Sequence, residues 1–474
     1  MGFFKNKDVE DTYMEAELHE EVDFTEEQEY SVQPQVVDEE ERREVRRKRR
    51  VRNEILVYMT SLLVLALVAG GVFTGVRAIQ QFRAASVSTE GVGETESTDN
   101  IQNMVDSMLA SESELPTEVI VEVKPEEKLD EYIDTVIAGM SLEEKVLGLI
   151  ITSPEELTGV RTAIRAGAAT QEKLEVRPVG GLVYYRRNIE SEEQLKEMLS
   201  NTASYSKYPI FLAVNEGGDV NSSVQNSVIT VPEVTKPGHI TSAEAAGTLG
   251  GTIGSYLKNL NFNVNFAPTA DILYETKAAV ADYCFGGDAA FNAELVAAYV
   301  TALEEQGISA TLKTFPGTGH LTGSTVSGTV STDKSRADYE ENFTVFKAGI
   351  DAGADFVMVS NMVASELSGG MDPCSMSSSV VTDILRTELG FTGIIITEPM
   401  NVKAITDYYS AEEAAVAALK AGCDMILLPE DLDEAYMGIL EGIGNGSVAE
   451  ARINDSLKRV LRVKYAYKLS EFTE

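Results

Sequence analysis

Between residues 129 and 468, short β-rich runs alternate with longer amphipathic segments. The runs are rich in β-branched and aromatic residues, which favour strands. The segments between them, such as residues 289–305 and 411–421, carry apolar residues at the three- and four-residue spacing of helices. The eight candidate strands are VLGLII at 146, GLVYYR at 181, PIFLAV at 209, FNVNFA at 262, ISATLK at 308, DFVMVS at 355, GIIITE at 393 and DMILLP at 424. The pattern predicts an α/β fold, a (β/α)8 barrel of TIM type.

An open, doubly wound parallel sheet is the main competing architecture. Such sheets commonly bind nucleotides through a Gly-rich loop after a strand, and no such loop follows any candidate strand here. In a barrel, functional residues lie just past the carboxyl ends of the strands. Polar side chains occupy such positions at Asn215, Asp271, Lys313, Asn361 and Glu398. We therefore expect them to converge on one mouth of the barrel.

An uncharged run of apolar and small residues covers residues 55–76. Its length suits a helix that crosses the roughly 30 Å hydrocarbon core of a bilayer. A buried core helix would show a polar face, and a cleaved signal peptide would have a short basic start and a shorter apolar stretch. We therefore interpret residues 55–76 as a transmembrane helix and the chain as a single-pass membrane protein.

Basic residues cluster from Arg42 to Arg52, directly before this run, whereas only Arg77 and Arg83 follow it closely. The positive-inside rule then predicts a cytoplasmic N-terminus and an extracytoplasmic barrel at the cell membrane. The cluster could instead bind nucleic acid, but its position favours a topology signal and contact with anionic lipids. The formal net charge of −37 also opposes binding to phosphate backbones, so we expect no nucleic-acid partner.

The remaining segments divide the chain into four parts. Residues 1–54 form an acidic tail that ends in the basic cluster; the tail has too few apolar residues for a core, which predicts a disordered cytoplasmic segment with an unidentified partner. Residues 77–128 are rich in Ser, Thr, Glu, Gly and Pro, as in a flexible stalk. Residues 129–474 then form the barrel domain.

The chain has 3 cysteines, Cys284, Cys374 and Cys423. Their spacing matches neither a disulfide framework nor a zinc site. We expect three small apolar residues in a packed core.

A series of motifs in this domain points to a known family. In chain order they are MSLEEK at 140–145, VGGL at 179–182, EGG at 216–218, NVNFAP at 263–268, KTFPG at 313–317 and LGFTG at 389–393. Together they resemble the N-terminal barrel domain of glycoside hydrolase family 3, in the branch of the β-N-acetylhexosaminidases. The resemblance covers residues 129–468 and lacks the second domain of many family members. It implies a glycosidase that needs no cofactor and no metal.

The resemblance also implies a nucleophile. The family places an aspartate after the seventh strand, and the matching stretch here is TEPMNV at 397–402. Glu398 is therefore the implied nucleophile and Met400 an implied substrate contact; the alternative is that Glu398 only bonds neighbouring backbone or Lys313. The extra methylene advances the carboxylate by roughly 1.5 Å, and a misplacement of about 1 Å can cost about a hundredfold in rate.

The family's acid–base loop resembles KHFPGHG followed by DSH, whereas this chain has KTFPGTGH at 313–320 and no carboxylate before Asp333. Lys313 is retained and Thr314 replaces a histidine, and the resemblance implies that both residues bind substrate. His320 is the one imidazole in the loop, which makes it the catalytic acid–base candidate; an exposed loop histidine is the alternative.

Three further positions are implied to bind sugar, although each departs from the family pattern. They are Asn215 near the aspartate before EGG, Tyr283 in place of an arginine, and Asn361 in place of a histidine. Two hypotheses follow. In the first, the chain is a membrane-tethered, retaining β-N-acetylhexosaminidase with weakened activity on peptidoglycan-derived amino-sugar glycans or muropeptides. In the second, it is a degenerate barrel that binds a glycan or protein without catalysis.

Overall fold

The computed structural model describes residues 124–473. Within this range, none of the helices combines the length and the apolar character needed to span a membrane. The acidic tail, the proposed transmembrane run at 55–76 and the stalk up to residue 123 lie outside the described residues. The statements about those segments therefore stay predictions.

Twelve strands organise the described residues. They are β1 Ile150–Thr152, β2 Gly181–Tyr184, β3 Phe211–Val214, β4 Val264–Asn265, β5 Thr269–Ile272, β6 Cys284–Gly286, β7 Ser309–Phe315, β8 Ser331–Thr332, β9 Phe356–Val359, β10 Val363–Ala364, β11 Ile394–Thr397 and β12 Ile426–Leu427. Each of the eight predicted runs overlaps one strand of the main sheet.

The main sheet is parallel and follows the order β11-β9-β7-β4-β3-β2-β1-β12. Strand β5 pairs with β7 and β6, while β8 and β10 form a separate two-stranded sheet. At the two ends of the path, Ile396 of β11 bridges Met425, and the amide of Thr397 donates to the Met425 carbonyl at 3.2 Å. The chain thus has an α/β fold with a curled parallel sheet.

Helices connect these strands and surround the sheet. They are α1 Pro125–Gly139, α2 Leu142–Leu147, α3 Pro154–Thr158, α4 Ala168–Val176, α5 Glu192–Tyr205, α6 Ala243–Asn259, α7 Ala289–Glu304, α8 Glu340–Asp351, α9 Ser365–Ser368, α10 Lys403–Thr406, α11 Ala411–Ala421, α12 Leu432–Gly444, α13 Glu450–Lys464 and α14 Leu469–Phe472. A π-helix covers Ser379–Glu388, and 3₁₀ turns occur at Arg186–Asn188, Pro237–His239, Arg336–Tyr339, Cys374–Met376 and Ala466–Lys468. The two predicted helical segments correspond to α7 and α11.

The first predicted strand is shorter than expected because helix α2 occupies its beginning. Ser141 caps α2 in a reciprocal capping box with Glu144, and the helix continues to Leu147. Only the end of the VLGLII run therefore enters β1. The domain also begins earlier than predicted, because helix α1 begins at Pro125, four residues before the predicted start of the domain at 129.

The core lies within and around the curled sheet. Strands β2, β3, β9 and β11 are buried along their whole length, as expected for parallel strands that are covered on both faces. The three cysteines are buried and free, in agreement with their predicted core role.

A charged network joins the sheet to the surrounding helices. Asp424, two residues before β12, is fully buried and contacts Arg386 of the π-helix at 2.5 Å. Arg459 and Arg452 of α13 lie 3.0 Å and 3.4 Å from the other oxygen of the same carboxylate. The backbone amide of Ile395 in β11 donates to Asp424 Oδ2 at 3.0 Å. One carboxylate therefore connects β11, β12, the π-helix and α13.

Candidate functional site

Glu398 follows directly after β11, beside the end of β9. The hydroxyl of Ser360 donates to Glu398 Oε2 at 3.0 Å, and the backbone N–H of Asn361 donates to the same oxygen at 2.6 Å. No hydrogen bond to Oε1 comes from residues 124–473. One carboxylate oxygen is thus held in place, and the other is free to meet a ligand.

The surroundings of Glu398 shift its acidity in opposite directions. Burial raises the pKa of Glu398 above its ordinary value, and the nearby carboxyl of Asp271 acts in the same direction. The Asn361 and Ser360 donors and the charge of Lys313 lower the pKa of Glu398, because they favour the ionised form. The same bonds that orient the carboxylate therefore also help to keep it anionic.

Asn361 supports Glu398 from behind. Its side chain is fully buried, its Nδ2 donates to the Pro399 carbonyl at 2.8 Å, and its Oδ1 accepts from the Ser375 hydroxyl at 2.7 Å. The backbone N–H of Asn361 donates to Glu398, so the backbone N–H and both polar atoms of the side chain form hydrogen bonds within the protein. In the structure Asn361 therefore positions Glu398, and the contact with sugar that the resemblance implied for Asn361 stays a prediction.

Met400 is likewise buried, away from solvent. Its side chain is only 2% exposed within the hydrophobic core, and its backbone N–H donates to the Leu427 carbonyl at 2.9 Å. The implied contact between Met400 and substrate has no support in this placement, because the thioether packs inward.

Lys313, at the carboxyl end of β7, occupies the middle of the site. Its Nζ donates to Asn215 Oδ1 at 2.5 Å, so the structure brings these two predicted residues together. Burial lowers the pKa of Lys313, and the charges of Asp219, Asp271 and Glu398 oppose that shift. The lysine therefore lies among three carboxyl groups.

Thr314 and Thr318 surround the buried carboxyl of Asp271, which lies in β5. Asp271 accepts hydrogen bonds from the Thr314 amide at 3.3 Å, from the Thr318 hydroxyl at 3.0 Å and from the Thr318 amide. Burial raises the pKa of Asp271 to about 6. Thr314 thus contributes its backbone to a turn that Asp271 holds together.

Tyr283 and Lys313 line a narrow cavity together with Asp219, Pro268, Phe285 and Tyr299. Burial raises the pKa of Tyr283, and the charges of Asp271, Asp219 and Glu398 raise it further. Glu398 and Asn361 are not part of the cavity lining, although Glu398 lies near enough to influence the pKa of both Lys313 and Tyr283.

The loop after β3 contains a site residue that the sequence analysis missed, Asp219, which is only 6% exposed. The glutamate of the EGG motif, Glu216, has a structural role: its carboxylate accepts from the Val224 amide at 2.6 Å, the Gln225 amide at 3.2 Å and the Tyr256 hydroxyl at 2.9 Å. The one signal for Asp219 in the sequence was an acidic residue directly after Gly217 and Gly218.

His320 packs against Tyr339, with a ring-centroid distance of 5.8 Å. Its Nε2 is buried and has no hydrogen-bond partner among the described residues. Burial, together with the charge of Lys334, lowers the pKa of His320 to about 4. The ring is therefore neutral at pH 7, which removes the proton that a general acid must donate.

Residues 124–473 contain no group of three or more His, Cys, Asp or Glu side chains arranged to hold a metal ion.

Residues 141–463 match the model of the Glycosyl hydrolase family 3 N terminal domain. The chain belongs to this family.

Two curated relatives show its place within family 3. A beta-hexosaminidase of Nitrosomonas eutropha is 30% identical over 264 residues, which cover 54% of this chain and 75% of the relative. A beta-N-acetylglucosaminidase/beta-glucosidase of Cellulomonas fimi is 26% identical over 321 residues, which cover 62% of this chain and 54% of that protein.

Solved family 3 structures share the fold. The β-N-acetylglucosaminidase from Paenibacillus sp. str. FPU-7 superposes with a TM-score of 0.64 at 27% identity, covering 70% of this chain and 63% of that chain. The present chain therefore spans less than two thirds of that structure. The β-N-acetylhexosaminidase from Beutenbergia cavernae has a TM-score of 0.60 at 24% identity, covering 69% of this chain and 98% of that one, and shows the fold alone. These matches confirm the resemblance that the motifs indicated.

Proposed function

We propose that this family 3 chain is a retaining glycosidase of β-N-acetylhexosaminidase type, with Glu398 as the nucleophile and with weakened activity. The observation that carries the proposal is the Glu398 carboxylate, whose Oε2 is fixed by Ser360 and Asn361 while Oε1 accepts no bond from the described residues. A nucleophile needs this combination of fixed direction and free oxygen.

The proposed reaction has two steps. Oε1 attacks the anomeric carbon of the sugar while the bond from that carbon to the leaving oxygen breaks, and the electron pair departs with the leaving group. Water then attacks the anomeric carbon of the glycosyl ester and loses a proton to solvent. The sugar is released and the Glu398 carboxylate is regenerated.

The second carboxyl group that retaining glycosidases use as an acid is not available in the expected loop. Asp271 lies near Glu398, but its two oxygens accept three hydrogen bonds from Thr314 and Thr318. The pKa of His320 is lowered to about 4, which leaves it neutral. Losing general-acid assistance costs about 10² to 10⁴ in rate, so we propose slow turnover of natural glycans.

We further propose that the curled sheet is a complete (β/α)8 barrel, held outside the cell by a transmembrane helix at 55–76, where peptidoglycan-derived amino sugars or muropeptides are the substrate. The support is the sequence alone for the helix and its basic flank. The support for amino sugars is the similarity to beta-hexosaminidases.

The second candidate is a binding module without catalysis. The observation in its favour is the lack of a ready general acid, since the Asp271 oxygens accept three hydrogen bonds and the lowered pKa of His320 leaves its ring neutral. The two functions are separated by the hydrolysis of 4-nitrophenyl N-acetylglucosaminide by the full chain. We expect slow release of nitrophenol that is lost in Glu398→Gln and kept in Glu366→Gln, an exposed carboxylate on α9. Binding of the sugar without any release by the unsubstituted chain would favour the module.

A further inference from the structure

We infer that a group of exposed arginines at the carboxyl edge of the sheet binds a carboxylate of the glycan, next to the sugar that is cleaved. The group, the arginine rim, consists of Arg161, Arg165, Arg186 and Arg187. The inference rests on the proposed function, because it concerns the same substrate. It goes further by naming the charge that this substrate carries beside its N-acetylhexosamine.

The first observation is the place of the arginine rim in the fold. Arg161 and Arg165 lie in the segment between α3 and α4, which follows β1, and the other two arginines follow β2. Both halves of the rim therefore lie at the carboxyl edge of the sheet, the edge that also carries Glu398.

The distance from the nucleophile along the sheet is short. Strand β2 pairs with β1 and β1 with β12, while Ile396 of β11 bridges Met425, the residue directly before β12. Neighbouring strands lie about 4.8 Å apart, so three spacings separate β2 from β11 by about 14 Å along the sheet. A second sugar residue and its substituents bridge such a distance.

The second observation is that hydrogen bonds hold the two halves of the rim side by side. Nδ2 of the buried Asn188, which follows the second half, donates to the carbonyl of Ala163 in the first half at 2.9 Å and to Glu155 Oε1 at 2.6 Å. The Ala163 amide donates to the same Glu155 oxygen at 3.0 Å. Nε2 of Gln194 donates to the carbonyls of Ile164 and Asn188 at 2.7 and 3.0 Å. The backbone that presents the arginines is thus ordered before a ligand binds.

The third observation is that most of these guanidinium groups have no acidic partner. All four arginines are exposed. Arg187 Nε lies 3.6 Å from Glu155 Oε1, whereas Arg161, Arg165 and Arg186 form no ion pair with any carboxylate of residues 124–473. Three positive charges of the rim are therefore available to a ligand.

The local charge also differs from that of the chain as a whole. The chain has 76 acidic and 39 basic residues. Residues 157–189 reverse this ratio, with two acidic residues, Glu172 and Glu175, against six basic ones, Arg161, Arg165, Lys173, Arg177, Arg186 and Arg187. The rim is thus a basic surface on an acidic protein.

A carboxylate is the group that matches this surface. A planar guanidinium group donates two parallel, charge-assisted hydrogen bonds to a carboxylate. Close to the nucleophile, the carboxyl groups of Asp219, Asp271 and Glu398 around Lys313 disfavour a further anion. An acidic group of the substrate is therefore favoured at the rim, while the bond to be cleaved lies at Glu398. Nucleic acids and anionic lipid surfaces match less well, because the net charge of −37 repels extended polyanions.

The test compares two acidic disaccharides with their own methyl esters, which keep the shape but lack the charge. N-acetylglucosaminyl-glucuronic acid has its carboxylate on the sugar ring, and N-acetylglucosaminyl-N-acetylmuramic acid has it on a side chain, so the two probes distinguish the two sources of a carboxylate. Calorimetry of the full chain at low ionic strength measures binding. We expect at least one acid to bind about three- to thirtyfold more tightly than its ester. Added salt should reduce the difference.

A double variant tests the rim itself. Arg161→Gln with Arg186→Gln removes one unpaired charge from each half, so it should abolish most of the preference for the acid and leave the affinity for the ester unchanged. The matched control is Lys258→Gln with Lys420→Gln. It removes two exposed charges near the ends of α6 and α11, helices that lead into β4 and β12 from the amino edge of the sheet. The control should keep the preference.

Three results would overturn the inference alone. One is equal binding of both acids and their esters by the unsubstituted chain, a comparison that needs no variant to fold. Another is an undiminished preference in the folded arginine variant. The third is binding to anionic phospholipid vesicles that depends on the rim, without a preference for the acids, which would assign the rim to a lipid surface. Failure of the unsubstituted chain to bind any of the four disaccharides would overturn the proposed function, and this inference with it.

Discussion

The backbone N–H of Asn361 donates a 2.6 Å hydrogen bond to Oε2 of Glu398, across two neighbouring strands. Strand register explains the contact: Thr397 of β11 pairs with Val359 of β9, so the residues that follow each strand lie side by side. The position of the proposed nucleophile is thus a direct consequence of parallel pairing at the carboxyl edge of the sheet.

Removal of the Ser360 hydroxyl should shift the pH dependence of hydrolysis. That hydroxyl lowers the pKa of Glu398, so Ser360→Ala should raise it. Since the nucleophile must be ionised, the acidic limb of the kcat/KM profile should move to higher pH. The matched control is Ser204→Ala on the exposed face of α5, which should leave the limb in place. An acidic limb that is unchanged or moves to lower pH in Ser360→Ala would contradict the role of the hydrogen bond from Ser360 to Glu398.

Hydrolysis should depend steeply on the leaving group. A nitrophenolate departs without protonation, whereas a sugar alkoxide needs a general acid, which the loop around His320 does not supply. We expect aryl N-acetylglucosaminides to react about 10² to 10⁴ times faster than the matched alkyl glycosides or muropeptides. The measurement compares kcat/KM across a series of aryl and alkyl glycosides. Similar rates across the series would reveal an acid elsewhere in the site.

Much of the fold was predictable, because parallel strands that are covered on both faces appear as short apolar runs. Strands β5 and β6 were missed, since their segments, TADI and CFG, have no continuous β-rich run, and they lie beside the main path of the sheet. The predicted fourth run, FNVNFA, is reduced to Val264–Asn265.

The site was predictable in part, and for a physical reason. Lys313 lies near the carboxyl end of β7 and Glu398 follows β11, so both lie at one edge of the sheet, where the charge of each affects the pKa of the other. The direction of a side chain is not visible from strand ends, so the inward packing of Asn361 and Met400 was not foreseen. Asp219 was missed because its place depends on hydrogen bonds within its own loop.

The buried carboxylate of Asp424 should be critical for stability. Asp424→Asn would leave Arg386, Arg452 and Arg459 around a neutral amide. Removing one partner of a buried ionic group typically costs about 3–5 kcal/mol, so we expect a loss of that order in the free energy of unfolding. Chemical denaturation of the full chain measures it.

The control for this substitution is an exposed ion pair. Asp134 lies 2.6 Å from Lys458, and both side chains are about half exposed. Asp134→Asn should change the free energy of unfolding by no more than about 1 kcal/mol. Equal effects of the two substitutions would mean that the Asp424 network does not hold β12 to the π-helix and α13.

The proposed membrane topology makes an independent prediction that rests on the sequence. The basic residues from Arg42 to Arg52 predict that the N-terminal tail stays in the cytoplasm. Protease added outside intact cells should therefore remove the barrel domain and leave a tail fragment protected. A tag at the N-terminus and an antibody against the barrel allow both parts to be followed. Protection of the barrel together with loss of the tail would reverse the topology.

The most direct test of the nucleophile is a covalent adduct on Glu398. A 2-deoxy-2-fluoro glycoside with a good leaving group forms a slowly hydrolysed glycosyl ester, and peptide mass spectrometry locates it. We expect one sugar adduct per chain on the peptide that contains Glu398, and none in Glu398→Gln. An adduct on a different carboxylate would contradict the assignment of Glu398. Undiminished hydrolysis of aryl glycosides by the Glu398→Gln variant would contradict it as well.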